Sequence, residues 1–92
     1  MSLLTREAID TALRALPGWH FQQHAIVKEF TFAGFPEAVA FITRLVPGSE
    51  AADHHPDLAV SYRRVTVTFT THSEGGVTAK DIAGARVADS CA

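Results

Sequence analysis

The sequence has very little cysteine, and its one thiol, Cys91, lies beside the C-terminus. A single cysteine cannot form an internal disulfide, whereas small secreted domains held together by disulfides need several. That class of protein is therefore excluded. A reducing compartment is consistent with this cysteine usage, and we expect the protein in the cytoplasm.

Long apolar runs and basic clusters are also missing. No stretch approaches the roughly 20 apolar residues that a membrane-spanning helix needs, and the N-terminal MSLLTREAID lacks the basic-then-apolar pattern of a secretory signal. The formal net charge is −2. Because nucleic-acid binding depends on clustered Lys and Arg, we expect neither a membrane nor direct nucleic-acid contact.

What the chain does have is apolar residues, 47% of its 92 positions, spread along its whole length. This composition indicates a globular chain, and the length predicts one domain over residues 1–92. A domain this short has only a few kcal/mol of net stability. Self-association is therefore a reasonable expectation.

Apolar spacing predicts three helices. In the first, over residues 5–16 and ended by Pro17–Gly18, one face carries Ile9, Leu13 and Leu16. A second helix begins near Pro36, since proline suits the first helical turn, and Pro47–Gly48 should stop or kink it. A third helix, DIAGARVA, follows a capping-box pattern at Thr78 and Asp81. The second helix is indicated by an apolar repeat at Phe35, Val39, Ile42 and Val46.

Alternating residues predict four strands in two hairpins. In WHFQQHAIVKEFTF, Trp19 and Phe21 share a face, and the chain turns near residues 23–25. The second hairpin turns at Arg63–Arg64. Its apolar positions alternate with small or polar ones and are Leu58, Val60, Tyr62, Val65, Val67 and Phe69.

The element order is α-β-β-α-β-β-α, which predicts an α+β fold. We expect a four-stranded antiparallel sheet with three helices packed on one face, a two-layer sandwich. The other sheet face, or the sheet edges, would then be available for a partner or a site.

Histidines are concentrated around the second hairpin. His54 and His55 stand directly before Pro56, which stiffens the segment that carries them. With a loop at Arg63–Arg64, position 72 pairs with position 55, so His72 would lie within about 5 Å of His55 between Cα atoms. His72 also continues a polar series of threonines, so it should not point into the core.

Imidazole titrates near neutral pH and can both give and take a proton there. Two or three imidazoles around a pocket suit an elimination or a hydration. One would protonate a leaving hydroxyl, and another would take a proton from a neighbouring nitrogen or carbon. Carboxylates such as Glu50 or Asp81 could orient an imidazole.

Simpler interpretations stay open for individual residues. Asp81 could be only a helix cap, Glu50 an ordinary exposed residue and Pro56 the start of a strand. A zinc site of histidines and a carboxylate is the other chemical reading, but it ranks below acid/base work because neighbouring side chains of an extended segment diverge. The remaining candidates are assigned to ordinary roles. We expect His20 and His24 to be surface or core histidines, Trp19 and Tyr62 to be core aromatics, and Arg63–Arg64 to be a solvated turn.

Several of these features resemble one family, the pterin-4a-carbinolamine dehydratases. The resemblance spans nearly the whole chain and includes the segments LPGWHF, FTFAGFPEAVAFITRL and THSEGGVTAKDI. It implies the same α+β fold, assembled into homodimers or homotetramers. The matching motif is Glu50, His54-His55-Pro56, Tyr62, His72 and Asp81.

The resemblance also implies an activity, the dehydration of 4a-hydroxytetrahydropterin to quinonoid dihydropterin. No metal or organic cofactor is needed. The reaction helps recycle the cofactor of aromatic amino acid hydroxylases, and such a hydroxylase is a possible partner in the same pathway. Some family members act instead as a coactivator or as assembly factors. The assembly factors tend to lose the histidine motif, so the intact motif here favours catalysis.

Residue roles follow from the same resemblance. His54 and His72 would be the acid/base pair, and His55 would position the pterin and share that work. Substrate-binding roles are implied for Glu50, Pro56, Asp57, Thr71, Ser73, Glu74 and Asp81. The chain departs from the family pattern at Pro47–Gly48, at Asp53 and Arg63, where asparagine is common, and at Gly84, where a larger apolar residue is usual.

Overall fold

The computed structural model describes residues 2–92 and has the predicted order of helices and strands. Its strands lie in the order β1-β2-β4-β3, with every neighbouring pair antiparallel, and the helices cover one face. The predicted α+β fold is confirmed. The elements are α1 (Arg6–Leu13), β1 (His20–Gln22), β2 (Ala25–Thr31), α2 (Phe35–Ala52), β3 (Asp57–Ser61), β4 (Arg64–Phe69), a short 3-10 helix (His72–Glu74) and α3 (Ala79–Cys91).

The core lies between the sheet and the helices. Along β4, Val65, Val67 and Phe69 are buried and alternate with the threonines, as predicted for a strand with one face against the core. Aromatic rings fill the same layer; the rings of Phe30 and Phe41 have centroids 4.8 Å apart. Trp19 is buried as expected, and its Nε1–H donates to an Asp89 oxygen at 3.0 Å.

Helix α2 continues through Pro47 to Ala52. Of the two predicted effects of Pro47–Gly48, a stop or a kink, the stop is therefore wrong. Proline removes one backbone hydrogen bond of a helix, but Pro47 is exposed, where water can satisfy the free carbonyl. The core side is held by Ala38, Phe41 and Leu45, which are buried. Packing of this face outweighs the local cost of the proline.

Of the apolar repeat that indicated α2, only Ile42 packs against the core. Phe35 and Val46 are each 52% exposed, and Val39 is 42% exposed. The helix is therefore apolar on two faces, one buried in the sandwich and one open. Within residues 2–92, no helix is both long and apolar enough to cross a membrane.

The second hairpin turns one residue earlier than predicted. Ser61 pairs with Arg64, so Tyr62 and Arg63 form the loop. Tyr62, expected in the core, is 68% exposed and has φ of 55°. The alternating pattern gave the wrong register because β3 is an edge strand whose five residues are all exposed. Without a buried face, the pattern of this strand does not indicate which residues point to the core.

Local sequence signals located the other turns and caps well. Gln23 and His24 both have positive φ, the geometry of a two-residue type I′ hairpin, at the predicted turn. The capping box at Thr78 and Asp81 is present at the start of α3. Helix α1 ends at Leu13 and is therefore shorter than predicted. Leu16, beyond its end, is still buried.

Candidate active site

The C-terminal end of α2 determines where the two adjacent histidines lie. Asp53 adopts the left-handed conformation, with φ of 49°, and ends the helix. The N–H of Asp53 donates to the Glu50 carbonyl and the N–H of His54 to the Ser49 carbonyl, each at 3.2 Å. The chain therefore reverses at Asp53, and His54, His55 and Pro56 lead into β3.

The Asp81 carboxylate, fully buried, joins helix α3 to this segment. One oxygen accepts from the Thr78 N–H and the Thr71 hydroxyl, each at 2.8 Å. The other oxygen lies 2.6 Å from Nε2 of His54, whose side chain is only 11% exposed. Asp81 therefore caps the helix and also holds an imidazole, so the two roles left open by the sequence coexist.

His55 has a carboxylate partner of its own. Its Nε2 lies 2.5 Å from Oε2 of Glu50, one helical turn back in α2. Both side chains of this pair are largely exposed, at 53% and 69%. In each of the two histidines, an Nε2–H that donates to the carboxylate leaves a lone pair on Nδ1, and this nitrogen can accept a proton.

An aromatic ring fixes the plane of the buried histidine. The imidazole of His54 lies nearly parallel to the ring of Phe69, with centroids 5.9 Å apart. Phe69 is the last residue of β4 and is buried. Asp81 and Phe69 together leave the ring of His54 little freedom to rotate.

His72 reaches the same place by a different route from the one predicted. The β3–β4 ladder begins at Asp57 opposite Thr68, so it does not extend to His72, and the predicted pairing of His72 with His55 is wrong. The strand ends because residues 71–76 close a tight loop, in which the Thr71 N–H donates to the Gly76 carbonyl at 2.9 Å. His72 is exposed on this loop, away from the core as expected.

All three histidines line one open cavity of about 300 Å³, the histidine cavity. Residues from α2's end, the loop after β4 and the first turn of α3 contribute to it. Its wall consists of Asp53, His54, His55, Thr70, Thr71, His72, Ser73 and Lys80.

The other predicted site residues fall into two groups. Glu50 and Asp81 stand behind the imidazoles and hydrogen-bond to them. Pro56, Asp57 and Glu74 do not line the histidine cavity. Pro56 lines a separate surface cavity with His55, because the extended segment turns it towards α2. Asp57 already belongs to the β3 ladder, and Glu74 lies in the 3-10 helix.

Three residues of the wall were not predicted: Thr70, Asp53 and Lys80. The signal for Lys80 was its position directly before Asp81, in the first turn of a helix whose cap reaches the site. Its ammonium group adds a positive charge to a cavity that is otherwise lined by imidazoles, hydroxyls and the Asp53 carboxylate. Among residues 2–92, no three His, Cys, Asp or Glu side chains are grouped so that they could hold a metal ion.

Comparisons with known sequences identify the family of this chain. The family model described as Pterin 4 alpha carbinolamine dehydratase matches residues 2–91. A relative from Metallosphaera sedula, named "Putative pterin-4-alpha-carbinolamine dehydratase", is 46% identical over 89% of this chain and 85% of its own length. A relative of the same name from Thermomicrobium roseum is 43% identical over 94% of this chain and 92% of its own.

Two solved structures share the fold. The crystal structure of a transcriptional coactivator/pterin dehydratase from Brucella melitensis has a TM-score of 0.95 and 41% identity, over 99% of both chains. A pterin dehydratase-like protein identified as a RuBisCO assembly factor in the alpha-carboxysome has a TM-score of 0.65 and 20% identity, over 79% of this chain and 84% of its own. Because the family match runs from residue 2 to residue 91, the chain belongs to the pterin 4 alpha carbinolamine dehydratase family.

Proposed function

We propose that this protein is a dehydratase that converts 4a-hydroxytetrahydropterin to quinonoid dihydropterin and water. The observation that carries the proposal is the convergence of His54, His55 and His72 on one open cavity. Membership of the family supports it, as does the carboxylate partner of each adjacent histidine. Proton transfer by positioned imidazoles is the chemistry that this reaction needs.

In the proposed reaction, a base takes the proton from N5 of the pterin while an acid protonates the hydroxyl on C4a. The C4a–O bond breaks, water leaves, and the N5 electron pair forms a C4a=N5 double bond. His54 is the base, because its bond to Asp81 leaves Nδ1 free to accept the proton. His72, from the loop after β4, protonates the hydroxyl, and His55 positions the pterin.

The test is to add the purified protein to enzymatically generated 4a-carbinolamine and follow the pterin ultraviolet spectrum. We expect acceleration over buffer, and a fall of about 10²-fold or more in His54→Ala and in His72→Ala. His20→Ala is the matched control, because His20 is an exposed histidine of β1 outside the cavity. A wild-type rate equal to the buffer rate would reject the proposal.

The reaction would recycle the tetrahydropterin used by an aromatic amino acid hydroxylase in the cytoplasm. Residues 1–92 would act as one domain, as a homodimer or homotetramer and with no metal or organic cofactor. Thr71 and Ser73 would bind the substrate from the loop after β4.

A second candidate function is a non-catalytic interaction module. The open apolar face of α2 favours it, since an exposed apolar surface suits a protein partner. One of the similar structures is named for coactivation and another for RuBisCO assembly. The two functions separate experimentally, because loss of His54 should abolish dehydration and leave binding through α2 unchanged.

A further inference from the structure

A second cavity lies between the C-terminal part of α2 and helix α3, beside the histidine cavity. Its volume is about 130 Å³, and its walls are largely apolar. We call it the interhelical cavity and define it by Leu45, Gly48, Ala52, His54, Phe69 and Gly84. Exposed residues at its rim, Lys80, Ala83 and Ala52, leave it open to the surface.

Small residues create this cavity. Gly48 and Ala52 stand on the α2 wall, and Ala83 and Gly84 stand on the α3 wall. A Cβ at Gly84 would lie 2.5 Å from Cε1 of Phe69, so a larger residue there would displace the ring that stacks on His54. Glycine at position 84 is therefore required by this arrangement of Phe69.

The two cavities share His54 and Lys80. His54 is therefore a wall between a polar compartment, where the histidines meet, and an apolar one. For a molecule held against His54 in the histidine cavity, the interhelical cavity is the adjoining space for a substituent near the reacting atoms. In a tetrahydropterin the carbon next to N5 is C6, which carries the variable substituent.

We propose that the interhelical cavity is a subsite of the same site and takes an apolar substituent at C6 of the pterin, an inference that rests on the proposed dehydratase function. Its 130 Å³ is close to the roughly 150 Å³ of an engineered apolar cavity that binds benzene. A short alkyl or phenyl group matches that volume. A hydroxylated chain would lose hydrogen bonds to water against Leu45 and Phe69 and could replace them only at the few polar groups of the wall, such as Ser49, so the subsite favours the apolar group.

The experiment compares two carbinolamines, made from 6-phenyl- and 6-methyl-tetrahydropterin, on three proteins. Ala52→Leu fills the cavity from its rim. Ala51→Leu is the matched control, since Ala51 is the neighbouring exposed alanine of α2 and does not line the cavity. We expect Ala52→Leu to lower kcat/KM about tenfold or more for the 6-phenyl substrate and little for the 6-methyl one. Ala51→Leu should leave both unchanged.

Circular dichroism establishes that each variant is folded, and Ala83→Leu replaces Ala52→Leu if the latter is not. Equal effects on both substrates, or no effect, overturn the subsite and leave the dehydratase proposal standing. A fall in molecular mass of Ala52→Leu by sedimentation, with no change in selectivity, assigns the cavity to contact with a second copy and also overturns the subsite.

Failure of the dehydratase itself is distinguishable. If wild type accelerates neither carbinolamine, the binding of stable oxidised 6-phenylpterin and 6-methylpterin decides the subsite by titration calorimetry. About tenfold tighter binding of 6-phenylpterin to wild type, lost in Ala52→Leu, supports the subsite. Equal affinities, or no binding of either pterin, overturn it.

Discussion

Asp81 shows at the scale of one residue how a structural and a chemical role combine. Its carboxylate satisfies the first turn of α3 through the Thr78 N–H and also binds Nε2 of His54. The contact with Thr78 is buried and the contact with His54 is partly buried, and the Thr71 hydroxyl is the third donor. The carboxylate of Asp81 accepts three hydrogen bonds. A side chain that must itself donate a hydrogen can replace it only if one of these donors rearranges.

Asp81→Asn should therefore change the tautomer of His54. The amide oxygen would keep the bonds from Thr71 and Thr78, and the amide NH₂ would face Nε2 of His54, which must then accept. The proton moves to Nδ1, and the imidazole can no longer take a proton there. We expect the dehydration rate to fall about 10²-fold or more and the free energy of unfolding to fall by about 1–3 kcal/mol.

The checks are the rate, urea denaturation and the ¹⁵N chemical shifts of His54. Glu50→Gln is the matched control, because the Glu50–His55 pair is exposed and should contribute only about 0–1 kcal/mol. If Asp81→Asn kept the Nε2–H tautomer of His54 and the wild-type rate, the proposed role of Asp81 would be wrong.

At the scale of elements, α2 and the second hairpin each tolerate a residue that local preference disfavours. Pro47 stands inside a helix of 18 residues, and Tyr62 has positive φ in a two-residue loop. Both residues are exposed. Core packing determines the backbone of α2, and pairing with the half-buried strand β4 determines that of the hairpin. The disfavoured residue reduces stability in each element without changing the fold.

Pro47→Ala should stabilise the protein. An interior proline costs a helix roughly 3 kcal/mol, and the alanine N–H recovers this by restoring a backbone hydrogen bond. The unfolded chain of the variant is more flexible, which offsets about 1 kcal/mol of that gain. We expect the free energy of unfolding to rise by about 2 kcal/mol in urea denaturation. Pro36→Ala, in the first turn of the same helix, should give no gain; an equal gain there would contradict this account.

Tyr62→Gly should also stabilise the protein, because glycine adopts positive φ without the steric cost of a Cβ. We expect a rise of about 1 kcal/mol in the free energy of unfolding. Tyr62→Ala keeps the Cβ and removes the same ring, so it should show no such rise. Equal values for the two variants would indicate that backbone strain at the turn is negligible.

At the scale of the whole molecule, one surface is more apolar than the rest. The open face of α2 and the edge strand β3 adjoin there, since Val46 and Leu58 line the same shallow cavity. Val60, on β3, is 43% exposed. An unpaired strand edge next to an apolar helix face is a surface that a second copy can cover.

Val46→Lys should therefore lower the molecular mass measured by sedimentation equilibrium, because a charge on this surface opposes its burial. Leu3→Lys is the matched control, since Leu3 is equally exposed at 52% but lies outside α2 and β3. It should leave the mass unchanged. A wild-type protein that is monomeric at all concentrations would contradict the expected self-association.

The sequence by itself determined the features that depend on neighbours along the chain. The alternation of Val65, Val67 and Phe69 with threonines predicted β4, and the capping box predicted the start of α3. The resemblance carried by His54, His55 and His72 indicated the family. The predictions of β4 and of the start of α3 were correct because hydrophobic periodicity and caps depend on residues only a few positions apart.

Only the tertiary structure decided which atoms meet. The hairpin register differed by one residue from the prediction, because the exposed edge strand β3 lacks a buried face to fix it. The bond between His54 and Asp81 spans 27 positions, and the interhelical cavity depends on how closely α2 and α3 pack. Such contacts depend on distances set by the packing of the whole core, which no local pattern in the chain encodes.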